Sequence, residues 1–340
     1  MGDASVPHPD RTLPPLVVIV GPTAVGKTDV AVRLAGAFEG EIVSADSRQV
    51  YRGMDIGTAK PTREEQHAAP HHLIDILNPD ERLSLAEFQA HAYRAIDEIL
   101  SRGRLPLLAG GTGQYVQAVV EGWGIPRVPP QPALRAELAG MADVYGPSAL
   151  HTWLESVDPD AASAIDYRNV RRVIRALEVF LVSGKPISAL QAKHPPPYRV
   201  LKVGLTRPRA SLCARIDARV DQMMAEGLED EVRRLLASGY SWGLASMSGL
   251  GYIQFAPYFR GEASLEETVK AIKRETHRFV RQQYTWFRLD DPSITWFDLD
   301  RAGVEAIYAF VESWLAAAGW SRGASSRSRS RSGKAGRVGS

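Results

Sequence analysis

Cysteine is almost absent from this chain: Cys213 is the only one in 340 residues. A single thiol excludes an internal disulfide and any zinc site built from several cysteines, and it is typical of a reducing compartment such as the cytoplasm. The sequence also has no apolar run of the roughly 18 residues that a membrane-spanning helix requires. Its start, Met1 to Pro15, is polar and rich in proline, without the apolar segment of a secretion signal. We therefore expect a cytoplasmic protein with no membrane association.

The chain has little net charge, +2 at pH 7, and this value conceals an uneven distribution. Residues 321–340 contain six bases and no acid, and removing them from the chain's 41 bases leaves 35 bases against 39 acids, a net charge of −4. A nucleic-acid-binding surface in residues 1–320 is therefore a local patch rather than a global field. The basic tail after Trp320 is predicted to be disordered because it has almost no apolar residue that could pack.

What the chain does contain is a phosphate-loop motif, Gly21-Pro22-Thr23-Ala24-Val25-Gly26-Lys27-Thr28, which fits the pattern of Gly, four residues and Gly-Lys-Ser/Thr. A β-branched run, Leu16 to Val20, precedes it, and apolar residues at helical spacing follow it. In a strand-loop-helix setting, backbone N–H groups, the helix N-terminus and Lys27 hold a pyrophosphate, and the Thr28 hydroxyl can ligate Mg²⁺. The motif predicts a pyrophosphate site without identifying the pyrophosphate.

Strands that alternate with helices predict an α/β fold, with a P-loop NTPase-like parallel sheet as its core. The strand after the loop helix ends at Asp46, and a later strand runs into Gly110-Gly111-Thr112. Since parallel strands end at one edge of a sheet, Lys27, Asp46 and Thr112 should converge on one crevice. Two proline-rich joints suggest a helical insertion. We predict a flexible N-terminus (1–15), an α/β catalytic core (16–126 and 199–320), a helical insertion (127–198) and a disordered basic tail (321–340).

Helices with basic faces indicate a nucleic-acid partner. At 100° per residue, four arginines (Arg168, Arg171, Arg172 and Arg175) fall opposite an apolar stripe that starts at Val170, an arrangement suited to gripping phosphates. The alternative is a solvated face, which normally carries mixed charge. A second basic helix ends in aromatic residues at 284–287, which either stack on an unpaired base or belong to the core. On a third helix, Arg215 and Arg219 lie four residues apart on one face.

Asp46, beside the phosphate loop, admits two chemical interpretations. In a kinase that uses ATP it holds Mg²⁺ or accepts a proton from a hydroxyl, and in a transferase that expels pyrophosphate it accepts the proton lost by an attacking amine. A cap or a loop hydrogen bond is the structural alternative. The spacing of the motifs alone does not choose among these roles.

The run from Asp46 to Pro61, together with the phosphate loop and Gly110-Gly111-Thr112, resembles the tRNA dimethylallyltransferases. The resemblance continues through residues 171–179, Gly251-Tyr252 and residues 281–287, and it covers roughly residues 16–290. Ile253 stands where members often have a charged residue, and Gln283 and Tyr284 replace more aliphatic residues.

The resemblance implies transfer of a dimethylallyl group from dimethylallyl diphosphate to N6 of the adenosine at position 37, next to the anticodon, in tRNAs that read codons starting with U. The phosphate loop then holds the donor diphosphate with Mg²⁺ as cofactor, and Asp46 takes the N6 proton. Thr23 and Thr112 orient the donor and the amine, while either Arg215 or Arg219 reaches the diphosphate. A monomer that uses its insertion to embrace the anticodon stem-loop is expected.

The same resemblance implies a set of tRNA-binding residues. They are Asp46, Ser47, Arg48, Gln49, Thr112, Arg135, Arg171, Arg172, Val173, Ile174, Arg175, Gly251, Tyr252, Arg281, Gln282 and Trp286. Three rival functions remain in view: a small-molecule or nucleoside kinase that uses ATP, an adenylate prenyltransferase that acts on free nucleotides, and a non-enzymatic RNA-binding protein. The intact Lys27, Thr28 and Asp46 argue against the last of these.

Overall fold

The computed structural model describes residues 13–317 and 319–320. Within that range, six parallel strands form one sheet in the order β3-β2-β4-β1-β5-β6. The strands are β1 (Pro15–Val20), β2 (Gly40–Ser44), β3 (His71–His72), β4 (Leu105–Ala109), β5 (Arg199–Thr206) and β6 (Ile294–Asp298). The α/β class and parallel sheet predicted from the sequence are confirmed.

Strand β1 lies at the centre of the sheet, between β4 and β5, with Val17 in register with both Leu107 and Leu201. All six of its residues are buried, as the uninterrupted apolar run predicts for a strand covered on both faces. Helices on either side provide that cover. Those packed on the strands are α1 (Lys27–Phe38), α3 (Leu85–Ser101) and α14 (Val304–Ala317), while α2 (Arg63–Ala68) lies against α1 and α4 (Gly113–Glu121) follows β4.

A second apolar cluster supports the segment that follows β2. Val50, Tyr51 and Met54 pack there against α10 (Arg209–Ala225), α11 (Leu228–Ala237), α12 (Phe255–Phe259) and α13 (Leu265–Trp286). Helix α13 starts with a reciprocal capping box in which Ser264 and Glu267 satisfy each other's backbone N–H groups. Helices α10 to α13 thus support the segment after β2 through apolar packing.

The chain divides into two compact units, one formed by residues up to Val116 and from Pro197 onward, the other by Gln117–Pro196. The second unit is helical, with Leu138, Leu154 and Leu177 in its core. Its helices are α5 (Pro132–Tyr145), α6 (Pro147–Val157), α7 (Pro159–Ala164), α8 (Val170–Ser183) and α9 (Ile187–Leu190). The exact insertion boundaries given above stay a prediction, and residues 1–12 and the basic tail at 321–340 lie outside the described residues.

No helix in the described ranges combines the length and the apolar character that crossing a bilayer requires.

Candidate active site

The phosphate loop connects β1 to α1 through an unusual backbone conformation. Gly21 and Gly26 have φ angles of 147° and 113°, and Ala24 between them has φ 65°. A Cβ at Gly21 would lie 2.5 Å from the carbonyl oxygen of Leu205, so only glycine fits there. Gly26 is the N-cap of α1 and leaves the first N–H groups of that helix without a side-chain cap. The predicted anion cradle is therefore formed at the positive end of a helix.

Lys27 stands in the middle of this cradle. Its Nζ donates hydrogen bonds to the carbonyl oxygens of Gly21 and Pro22, at 3.0 and 2.9 Å. Burial lowers the pKa of Lys27 to about 8, with the positive charge of Arg219 acting in the same direction and the negative charge of Asp46 opposing it. An arriving anion would remove this cost, because it supplies the charge that the buried ammonium group lacks.

Three side chains from distant parts of the chain hold the loop in place. Arg215 Nε donates to the carbonyl oxygen of Ala24 at 2.9 Å, and Arg207 Nε donates to that of Val25 at 3.0 Å. The Thr23 N–H donates to Gln283 Oε1 at 2.8 Å. The loop is thus fixed before a ligand binds, which lowers the cost of ordering it. The sequence did not single out Arg207, and it marked Gln283 as a departure from the family within the stretch 281–287 that carries the resemblance.

Arg219, one helical turn after Arg215 on α10, differs from its neighbour. It makes no hydrogen bond or ion pair with any residue of the described ranges, although it is partly buried and lines the same cavity as Lys27. Burial lowers the pKa of Arg219 while the charge of Asp46 raises it. A guanidinium group with this environment is available to an anion in the cavity.

Asp46 begins a tight loop directly after β2. Its Oδ1 accepts the N–H groups of Arg48 at 2.8 Å and Gln49 at 3.4 Å. The other carboxylate oxygen, Oδ2, makes no hydrogen bond within the described part of the chain, although the residue lines the cavity. One oxygen therefore shapes the loop, and the second is open to a substrate. The structural and chemical roles considered for Asp46 are compatible.

Thr112 meets this loop from the end of β4. Its N–H donates to the Ala45 carbonyl oxygen at 3.2 Å, and its Oγ1 accepts the Ser47 N–H at 3.1 Å. Gly110 allows the close approach, since a Cβ there would lie 2.2 Å from the Ala45 oxygen. The expected meeting of the ends of β1, β2 and β4 at one edge of the sheet is present in the structure.

The cavity at this edge has a volume of about 840 Å³. Lys27, Thr28, Asp46 and Arg219 line it, and residues 55–63 contribute another part of its wall. Thr28, in the first turn of α1, presents the predicted hydroxyl ligand for a metal ion. No group of three or more His, Cys, Asp or Glu residues in the described ranges could hold one by itself. A divalent cation here would need oxygens of a bound diphosphate, which is how Mg²⁺ commonly binds.

A buried carboxylate holds the wall formed by residues 55–57. Glu231 accepts the N–H groups of Asp55, Ile56 and Gly57 at 2.8 to 3.0 Å and the Tyr252 hydroxyl at 2.7 Å. Burial, together with the Glu231 charge, raises the pKa of Tyr252 well above its ordinary value. Because Tyr252 is fully buried and Gly251 is buried beside it, these two residues support the cavity rather than face RNA. This differs from the contact that the family resemblance implied.

The predicted tRNA-binding residues of the helical unit separate into two groups. Val173 and Ile174 are buried in its core. The fully buried Glu178 accepts hydrogen bonds from Arg135 at 2.8 Å and from Arg175 at 2.6 Å. Burial makes Val173 and Ile174 core residues, which differs from the RNA contact that the resemblance implied. Glu178 ties Arg135 and Arg175 to the core, but 42% and 30% of their side chains stay exposed, so their contact with RNA stays a prediction. The sequence showed Glu178 near the arginines, but helical periodicity could not show that it is buried among them.

Arg171 and Arg172 form the second group. Both are exposed on α8, and neither side chain has a hydrogen bond or ion pair among the residues that the structure describes. Arg168, the remaining base of the predicted face, is paired with Asp166 at 2.6 Å. Two of the four arginines thus stay fully available to phosphates.

The residues at the end of α13 also differ in how far they are exposed to solvent. Arg281 and Gln282 are exposed, and the Arg281 side chain has no ion pair among the described residues. Trp286 is partly buried and packs on Gly113, where a Cβ would lie 2.3 Å from its Cγ. Phe287 is buried. Of the aromatic residues considered for stacking on a base, Phe287 belongs to the core and Trp286 is held against the Thr112 loop.

Comparison with known proteins adds to this geometry. Residues 49–290 match a family model described as IPP transferase, and residues 14–76 match one described as isopentenyl transferase. The tRNA dimethylallyltransferase of Chloroflexus aggregans is 60% identical over 273 residues, which are 80% of this chain and 92% of that protein.

Two solved structures are also similar. The full-length tRNA isopentenylpyrophosphate transferase of Bacillus halodurans is 44% identical, with a TM-score of 0.67 over 90% of this chain and 98% of that one. A eukaryotic dimethylallyltransferase acting on tRNA is 25% identical, with a TM-score of 0.77 over 89% of this chain and 80% of that one. The similarity to each of these proteins extends over most of this chain.

Proposed function

This chain belongs to the IPP transferase family, and on that premise we propose that it acts as a tRNA dimethylallyltransferase. It transfers the dimethylallyl group of dimethylallyl diphosphate to N6 of the adenosine at position 37, next to the anticodon, in tRNAs that read codons starting with U. The products are N6-dimethylallyladenosine and diphosphate. The observation that carries the proposal is the single cavity lined by Lys27, Asp46 and Arg219, which brings an anion cradle and a free carboxylate oxygen into one space.

The phosphate loop and α1 bind the donor's diphosphate. N–H groups at the start of α1, the Lys27 ammonium group and the Arg219 guanidinium group neutralise its charge. The charge on the diphosphate grows as its bond to the prenyl carbon breaks, so these donors stabilise the transition state more than the bound donor. Both arginines line the cavity, and Arg219 is assigned this contact because its whole guanidinium group is unbonded among the described residues, whereas Arg215 uses its Nε on the Ala24 carbonyl oxygen. Arg215 and Thr23 then act by fixing the loop.

Asp46 accepts the proton from the attacking amine. N6 of the adenine forms a bond to the first carbon of the prenyl group, the carbon–oxygen bond to diphosphate breaks, and Oδ2 of Asp46 takes the N6 proton. The hydrogen bonds from Arg48 and Gln49 to Oδ1 hold the carboxylate in position. Thr112 keeps the Asp46 loop in register through its contact with Ser47.

A divalent cation fits the chemistry of this site, and we assign Mg²⁺. The Thr28 hydroxyl and the donor's diphosphate oxygens would hold it, and it would supply further neutralisation of the leaving diphosphate. The proton transfer and the orientation of the reacting groups depend on residues of the chain itself.

The adenine must leave the stack of the anticodon loop to reach the cavity, as in other enzymes that modify a base. Arg171 and Arg172 of the helical unit and Arg281 of α13 are exposed cations suited to phosphate contacts. We therefore assign the helical unit to binding the anticodon stem-loop. We also assign the enzyme to the cytoplasm, where it acts as a monomer.

Incubation of the purified protein with an unmodified tRNA transcript and ¹⁴C-labelled dimethylallyl diphosphate tests the proposal. Nucleoside analysis should find the label in N6-dimethylallyladenosine, and a transcript with guanosine at position 37 is the matched control. ATP consumption without RNA and without loss of the labelled donor would identify a kinase. Label transferred to free adenylate would identify the nucleotide prenyltransferase, and tRNA binding without transfer would leave only the RNA-binding function.

A further inference from the structure

We propose that Gln283 is a positioning residue that fixes the donor's phosphate loop relative to the loop that carries Thr112. The inference rests on the proposed function, since it assigns the role of this side chain within the same transfer reaction. Gln283 lies in the last turn of α13 and is only 4% exposed. Its side chain is therefore committed to its protein neighbours rather than to solvent.

Both polar ends of the Gln283 amide are used. Oε1 accepts the Thr23 N–H of the phosphate loop at 2.8 Å, and Nε2 donates to the carbonyl oxygen of Gly111 at 3.1 Å. The two loops follow β1 and β4, which are adjacent strands of the sheet. Gln283 thus forms a direct bridge across the edge where donor and acceptor must meet.

Packing fixes the same bridge from the other side. A Cβ on Gly111 would lie 2.5 Å from Gln283 Nε2 and 3.4 Å from Lys27 Nζ, and a Cβ on Gly113 would lie 2.3 Å from the Trp286 ring. The two glycines allow α13 to lie against the loop on either side of Thr112. Thr112 Oγ1 in turn accepts the Ser47 N–H, next to Asp46. A continuous set of contacts therefore connects the diphosphate cradle to the proposed base.

The chemistry of an amide suits this position. The Thr23 N–H needs an acceptor and the Gly111 carbonyl oxygen needs a donor, and a glutamine amide offers one of each on a side chain long enough to reach both. Glutamate would lose the donor and add a negative charge beside the diphosphate. Lysine would offer no acceptor. A hydrocarbon side chain would fill the space but would leave both backbone groups without this partner.

Steady-state and single-turnover kinetics of Gln283→Met test the role. Methionine keeps the length and removes both hydrogen bonds, so the two loops lose their common tie while the donor-binding groups remain. Since small misplacements of reacting groups cost up to about 100-fold, we expect kcat to fall roughly 10- to 100-fold with less than about a threefold change in KM for dimethylallyl diphosphate. The tRNA dissociation constant should stay unchanged. Gln89→Met, which removes the contact of Gln89 with Tyr93 on α3, is the matched control and should keep wild-type kinetics.

A second pair of variants separates hydrogen bonding from packing. Gly111→Ala places a methyl group against Gln283 Nε2. Adding Gln283→Ala removes this steric conflict, but the bridge between the two loops is still absent. The double variant should regain the thermal stability lost by Gly111→Ala while its kcat stays low. Hydrogen–deuterium exchange should also be faster at the Thr23 amide in Gln283→Met than in the wild type.

The outcomes distinguish this inference from the proposed function. If the wild-type protein does not prenylate tRNA, the proposed function fails, and with it the role assigned here. If the wild type is active and Gln283→Met keeps kcat within about threefold, only the positioning role is overturned. The positioning role is also overturned if thermal destabilisation fully accounts for the loss of kcat and the double variant reverses that loss. Gln283 would then serve packing alone.

Discussion

The cations of the crevice and the arginines of α8 carry the same charge in opposite surroundings. Lys27 and Arg219 are enclosed with no carboxylate of the described residues in hydrogen-bond contact, and burial lowers the pKa of both. On α8, Arg175 is paired with an acid, and Arg171 and Arg172 are exposed to solvent. Uncompensated burial costs stability, whereas exposed charge costs almost nothing. The difference indicates that the crevice is prepared for one anion and that the helix offers a general phosphate-binding surface.

The largest expected effect in this comparison is at Asp46, the acid whose charge acts most strongly on the pKa of Lys27 and Arg219. Asp46→Asn keeps an oxygen that accepts the Arg48 and Gln49 N–H groups but cannot take a proton from N6. Single-turnover rates should fall about 10²- to 10⁴-fold, while donor binding measured by calorimetry stays within a few-fold of the wild type. If Asp46→Asn retains its rate and only Asp46→Ala loses it, Asp46 serves to shape the loop.

The next effect distinguishes Arg219 from Arg215 on α10. Arg219→Gln removes a guanidinium group that has no other partner among the described residues, so kcat/KM for the donor should fall roughly 10- to 100-fold, as for loss of a charge-assisted hydrogen bond. Arg215→Gln should have a smaller effect, because Arg215 acts through the Ala24 carbonyl oxygen. Initial rates at limiting donor concentration measure both. A larger loss for Arg215 would reverse the assignment.

On α8, the comparison predicts a change in salt dependence. Each phosphate contact contributes roughly 0.7 to 0.9 to the slope of log K against log salt concentration, so Arg171→Gln with Arg172→Gln should flatten the slope by about 1.4 to 1.8. Filter binding of tRNA at several salt concentrations measures this slope. Arg168→Gln is the matched control, since its charge is paired with Asp166. An unchanged slope in the double variant would return α8 to the solvated-face interpretation.

Arg175→Gln should act on stability instead, because it removes one of the two arginines that pair with the buried Glu178 carboxylate.

The smallest effect concerns pH. Lys27, with a pKa of about 8 in the free enzyme, is charged below that pH and neutral above it. The donor's kcat/KM, which reports the free enzyme, should therefore decline above pH 8, approaching tenfold per pH unit. The affinity for tRNA, which depends on the exposed arginines rather than on Lys27, should show no such decline.

The pH dependence of stability has the opposite sign to that of the donor's kcat/KM. The pKa of Lys27 lies below its ordinary value of 10.5, so the buried charge opposes folding below pH 8, and this cost disappears as the pH rises from about 8 to 10.5. Lys27→Met should thus raise the free energy of unfolding at pH 7 and lose that advantage at high pH. Thermal melts of the donor-free proteins at pH 7 and pH 10 measure it. Equal gains at both pH values would contradict the lowered pKa.

Much of the site could be predicted because it depends on local pattern and on a general rule of topology. The motif from Gly21 to Thr28 predicts the cradle, and the β-α alternation predicts that Asp46 and Thr112 follow strands of one parallel sheet. Strand ends of a parallel sheet share an edge, so three separated motifs could be placed together without any contact being known. No such rule predicts the contacts between distant residues that hold these motifs at the edge of the sheet.

By itself, the sequence determined the parallel sheet, the phosphate loop and the family, and it predicted Lys27, Asp46 and Thr112 as site residues, since each is encoded in periodicity or in a contiguous motif. Only the tertiary structure decided that Tyr252 is buried against Glu231, that Arg175 is tied to a buried acid, and that Gln283 bonds to Thr23, 260 residues earlier. Helical periodicity assigns a side chain to a face. Which atom meets it there depends on packing between segments that are far apart in the chain.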